Sequence, residues 1–147
     1  KRSSAFYLLG TFEVKGKNEN KSKNVSNVVS GSYWESSDIR LVDRKSGKIT
    51  ELIDFPYLSP DQKYMISIWE NPYESTADVE FYRLEGTEAK LVASLSYKNW
   101  MPVVEPSDIF WSKDGNLYLA VNHSMAYWNE DGLMNPPLQY LRMKVIP

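Results

Sequence analysis

The chain of 147 residues contains no cysteine and a single histidine, His123. The first absence excludes disulfides, thiolate metal sites and cysteine nucleophiles. The second excludes a metal site built from several imidazoles, and any Ser-His-Asp arrangement would have to use His123. The adjacent Ser124 is badly placed to be its nucleophile, because successive strand residues point to opposite faces. Glycine is sparse, at seven residues, and none builds the Gly-rich strand-to-helix loop that cradles phosphates. Positive charge is not in excess either. Seventeen Lys and Arg face nineteen Asp and Glu, a formal net charge of −2, so no basic field draws nucleic acid or an anionic membrane. Lys15, Lys17, Lys21 and Lys23 read as a solvated loop. No apolar run approaches the ~20 residues of a membrane-spanning helix, which argues against membrane insertion. Neither a metal nor a cofactor is expected. The chain begins at Lys1, with neither Met nor a signal peptide, and is read as processed or trimmed. A periplasmic or secreted location is expected, with a cytoplasmic one as the alternative.

What the sequence has in abundance is aromatic residues, 14 % of the chain, with ten Tyr and five Trp. Such side chains fit the pleated, half-buried surface of strands. Apolar alternation and turn residues predict strands over 5–14, 25–34, 38–43, 48–53, 63–69, 78–84, 90–96, 109–112, 117–123 and 138–146. Gly10 is a candidate bulge. Pro102 and Pro106 are expected to keep 97–107 out of ladder pairing. No window has helical periodicity. The expected class is all-β: one domain, an antiparallel meander of about ten strands.

Two internal echoes organise this meander. Asp38-Ile39-Arg40-Leu41-Val42 matches Asp78-Val79-Glu80-Phe81-Tyr82 forty residues on, and Ser59-x-Asp61 matches Ser112-x-Asp114. A period near 40 residues with four short strands per unit is the pattern of repeat β architectures. Leu58-Ser59-Pro60-Asp61-Gln62-Lys63-Tyr64-Met65 and Trp111-Ser112-Lys113-Asp114-Gly115-Asn116-Leu117-Tyr118 resemble the blades of WD-type and Ser-Pro-Asp-Gly-type β-propellers. Gln62 replaces the usual glycine in the first copy, and the second copy lacks the proline. The resemblance covers residues 38–122 and implies propeller-like blades, with candidate units 5–53, 57–96 and 109–146. A chain of this length holds material for about three blades, fewer than the four to eight of a closed propeller. The expectations are therefore part of a larger propeller, an oligomer that closes a ring, or a compact sandwich or barrel.

Connections in a meander alternate between the two ends of the sheet. The tight turns at 44–47, 59–62, 85–88 and 113–116 fall at one end. The connections 35–37, 70–77, 97–107 and 129–137 fall at the other, and three of these four are long for hairpin loops. Binding residues tend to gather on such loops. That end also repeats a Trp followed by an acidic or amide residue: Trp34-Glu35, Trp69-Glu70 and Trp128-Asn129. Candidate partner-binding residues are therefore Trp34, Trp69, Glu70, Glu74, Trp100, His123 and Trp128. No catalytic residues are assigned. The expected function is a non-enzymatic binding protein, inhibitory or envelope-associated in type, with a protein or peptide partner and the possibility of oligomers. The alternative is a carbohydrate-binding module or weak glycosidase using Trp69, Trp100 and Glu70. Its two carboxylates would come from Glu70, Glu74, Asp78 and Glu80, or from Glu105 and Asp108.

Overall fold

The computed structural model describes residues 5–14, 24–32, 37–86, 88–102, 109–137 and 139–144. Consecutive segments build three antiparallel sheets. Sheet A holds β1 (Ala5–Val14), β2 (Asn24–Ser32), β3 (Ser37–Asp43) and β4 (Ile49–Leu52), in that spatial order. Sheet B repeats the plan with β5 (Pro56–Leu58), β6 (Tyr64–Asn71), β7 (Thr76–Glu85) and β8 (Glu88–Tyr97). In sheet C, β9 (Trp100–Pro102) and β10 (Ile109–Trp111) both pair with β11 (Asn116–His123), and β12 (Gln139–Lys144) takes its other side. The chain is all-β; among the described residues the one helical element is a 3-10 turn at Ser124–Ala126, and no helix is long and apolar enough to cross a membrane.

Among the described residues twelve strands stand where about ten were expected. Pro56–Leu58 and Trp100–Pro102 are the additions, and the latter pairs despite its proline. Pro102 lies opposite Val121 at the end of an edge strand, where a missing N–H costs no ladder bond. The register of β1 on β2 shifts between Leu8 and Gly10, the bulge that Gly10 suggested. Residues 15–23, which hold the four lysines, lie outside the described residues.

Alternation decides how the sheets stack. Ile39 and Leu41 on β3, with Val28 and Leu52, meet Met65 and Tyr82 of sheet B in one core. On the opposite face of sheet B, Ile66, Ile68, Val79 and Phe81 pack on Ile109, Leu117, Leu119 and Val121 of sheet C in a second core. Sheet B is thus covered on both faces, which explains why β6 reads Met-Ile-Ser-Ile with four consecutive buried residues. The polar member, Ser67, is satisfied at the crossover from sheet A: its Oγ accepts from Asp54 N at 2.8 Å.

The matched Ser-x-Asp turns are built alike. Ser59 N donates to Tyr64 O, Tyr64 N returns to Ser59 Oγ, both at 2.9 Å, and Ser59 Oγ donates to Asp61 Oδ1 at 2.7 Å. In the second copy Ser112 N donates to Asn116 O at 2.8 Å and Asn116 N to Ser112 Oγ at 3.1 Å. Each turn needs one left-handed residue, filled by Gln62 (φ 56°) and Gly115 (φ 80°). A non-glycine there carries a steric cost; the same backbone bond closes both turns, Gln62 N to Ser59 O at 2.9 Å and Gly115 N to Ser112 O at 3.0 Å. The second turn is one residue shorter, so Tyr64 corresponds to Asn116 and Ile66 to Tyr118.

Candidate functional site

The turn end and the loop end are separate surfaces. At the turn end Lys48 Nζ reaches Glu88 Oε1 at 2.5 Å, joining sheets A and B. A cleft of about 420 Å³ there separates the two Ser-x-Asp turns and is walled by Asp61, Lys63, Trp111 and Asp114. Those carboxylates are engaged within their own turns. Hydrogen bonds from Ser59 and Lys63 outweigh partial burial and hold Asp61 below the usual carboxylate range, and the Ser112 hydroxyl does the same for Asp114.

The loop end is organised by Tyr127. The 3-10 turn that follows β11 is capped by His123, whose Nδ1 accepts from Met125 N at 3.2 Å, and it delivers Tyr127 into the core. The phenol hydroxyl donates to Glu70 Oε2 at 3.2 Å, tying this connection to the end of β6. Burial, reinforced by the Glu70 charge, pushes the phenol's pKa up. The Trp128 ring stands edge-on to Tyr127 at 5.1 Å and opens a small hairpin in which Trp128 pairs with Met134. Asn129 Oδ1 accepts from Asp131 N at 3.0 Å and Leu133 N at 2.8 Å, and Gly132 N bonds Asn129 O at 3.1 Å. Gly132 supplies the left-handed step, φ 74°. The base is locked as well: buried Asn122 donates through Nδ2 to Asn135 O and Pro136 O, at 3.0 and 3.2 Å. The hairpin is thus a braced projection.

Among the predicted residues, Trp69 and Trp128 are each 42 % exposed and Glu74 is exposed in the β6–β7 turn. Glu70 is brought to Trp128 through Tyr127. Trp100 and His123 are brought together in a different way. They are opposite in register, with rings edge-to-face at 5.3 Å, and Trp100 packs on the core between sheets B and C. Trp69 shares a face with Asp78 and Ser96 on the side of sheet B turned toward sheet A. Trp69 and Trp100 therefore lie on opposite sides of sheet B and build no common platform. The Asp78 carboxylate accepts from Ser96 and that of Glu80 from Tyr82. Trp34, Glu105 and Asp108 lie outside the described residues. Also among the described residues, no group of three or more His, Asp or Glu is arranged to hold a metal ion.

Sequence reasoning passed over Tyr73, Met125, Leu133 and Met134, all exposed at this end. The available signal was Asn129-Glu130-Asp131-Gly132 between Trp128 and Leu133-Met134, a turn flanked by apolar residues as in a hairpin. Around these apolar groups, the described strand ends and loops of sheets B and C carry Glu70, Glu74, Asp78, Glu130 and Asp131 against Lys98. Comparison with protein-family models, curated proteins and solved structures returned no match. Fold and surface together define an all-β protein of three stacked sheets whose loop end exposes apolar side chains within an acidic surround.

Proposed function

We propose that the chain is a non-enzymatic binding protein that receives a protein or peptide partner on its loop end, and that the partner's matching surface is cationic with apolar anchors. The observation that carries this reading is the presence at that end of six exposed large apolar side chains, Trp69, Tyr73, Met125, Trp128, Leu133 and Met134. Soluble proteins rarely leave such side chains clustered unless they meet something. A braced hairpin loses little conformational freedom on binding, which favours affinity. The five carboxylates speed encounter with a basic partner and penalise an acidic one.

Selection of a random peptide library on the intact chain tests the proposal. Enriched peptides should combine Lys or Arg with aromatic or aliphatic residues. Their binding should weaken roughly 30-fold or more in Trp128→Ala, the scale of an interface hot spot, and weaken with added salt. Trp69→Ala should lower affinity with little loss of fold stability, because the ring is not in a core. Peptides indifferent to both substitutions, or tryptophan fluorescence responding only to a soluble glycan panel, would overturn it.

A further inference from the structure

The outermost face of sheet C is made of the residues that elsewhere form the core. With Tyr64 matched to Asn116 through the turn hydrogen bonds, Tyr57 corresponds to Phe110, Ile66 to Tyr118 and Ile68 to Ala120. In sheet B these positions point toward sheet C, and Ile66 and Ile68 are fully buried by it. In sheet C they point away from sheet B. Tyr140 and Arg142, opposite Ala120 and Tyr118, complete the same face. The connection after β11 covers the Asn122 end of it through the Asn135 and Pro136 carbonyls. Ala120 is itself buried, while Phe110 is 45 % and Tyr140 52 % exposed, and Phe110 stacks on Tyr118 at 5.2 Å and leans on Tyr140 at 6.1 Å.

The stacking rule continues at the opposite end of the molecule. Ile39 and Leu41 point from sheet A to sheet B, as their counterparts Val79 and Phe81 point from sheet B to sheet C. The other face of sheet A is therefore the counterpart of the faces by which sheets B and C receive their predecessors. It carries Val29, Val42 and Ile49. Arg40 lies there 2.6 Å from Asp38 and 3.8 Å from Glu51. Across the proposed junction this face, with its two carboxylates, would meet Arg142 and the three aromatic rings. A head-to-tail union continues the stack at both outer faces, and such a heterologous contact forms a ring if its rotation closes.

We propose that the outer face of sheet C docks on the outer face of sheet A of a second copy of this chain. Two copies of three sheets then close a ring of six, within the four to eight sheets of propeller architectures. This proposal concerns faces distinct from the loop end and stands apart from the partner proposal. The test is light scattering on the intact chain over a dilution series, with Tyr140→Asp and Ile49→Asp. Both side chains are exposed, so circular dichroism and melting should show both variants folded. Wild type should have twice the 17.0 kDa chain mass, and each variant alone should dissociate at least tenfold more readily. An equimolar mixture of the two should regain dimer, because one undamaged junction remains between unlike chains. A wild-type monomer throughout the series overturns the proposal. So does a dimer lost in Tyr140→Asp but kept in Ile49→Asp, which would mean that sheet C meets sheet C.

Discussion

Replacing Tyr127 by Phe removes one hydroxyl and leaves the ring that fills the core and meets Trp128. Tyr127 is 2 % exposed, so the hydroxyl's partner is Glu70 rather than solvent. A hydrogen bond to a charged group contributes roughly 1.5–3 kcal/mol. At 3.2 Å this one is longer than the usual O–H···O range, which sets the expected loss near the lower limit, about 1–1.5 kcal/mol. For a chain of this size that is a fall in Tm of roughly 2–6 °C. The pH dependence gives an independent readout. The folded phenol is raised by burial first and by the Glu70 charge second, so the unfolded chain releases this proton at lower pH than the folded one. The contribution is fully present below the unfolded value of about 10 and is lost as pH rises toward the folded one. Tyr82 behaves likewise, raised by burial and by Glu80, so the alkaline loss of stability should be shallower in Tyr127→Phe and shallower still in the double variant with Tyr82→Phe. Urea melts at pH 7 and at a series of alkaline pH values measure both. A Tyr127→Phe protein with unchanged midpoint at pH 7 and an unchanged alkaline limb would refute the role given to this bond.

Asn122→Ala removes the donor shared by two carbonyls of the connection; Pro136 is exposed and Asn135 half-buried, so water replaces part of what is lost, and denaturant melts should show a loss of about 1–3 kcal/mol. Gly132→Ala meets no atom within 4 Å, so its cost is the left-handed backbone alone, about 1–2 kcal/mol. Gly132→Asn, compatible with that conformation, should cost less, and equal losses for both would contradict the turn's geometry. Below the ordinary carboxylate range a further loss is expected from Asp61 and Asp114. Their folded values lie below the unfolded ones, so their stabilisation is present above about pH 4 and disappears as pH falls through the folded values. Acid titration followed by circular dichroism should show a shallower acid limb in Asp61→Asn.

The loop end was legible in the sequence through parity alone, because each tight turn sends the next connection to the opposite end of the sheet. The acidic or amide residues after Trp69 and Trp128 were visible for the same reason. Which of the tryptophans face solvent was not. Trp69 and Trp128 are open, whereas Trp100 is drawn into the core between sheets B and C, because 100–102 finds a partner in β11 that its proline argued against. Tyr127 was invisible as an organiser, since its role rests on Glu70, 57 residues away.

The sequence by itself determined the strand class, the turns and the alternation of faces, all of which are set by neighbours within a few residues. Alternation also separates Ile39 and Leu41 from Arg40 without any tertiary information. Only the tertiary structure decided what each face meets. Ile66 and Tyr118 occupy matching places on matching strands, yet one is buried and the other lies on an open sheet face. The difference is whether another sheet follows in the stack, a contact that local residue patterns do not encode.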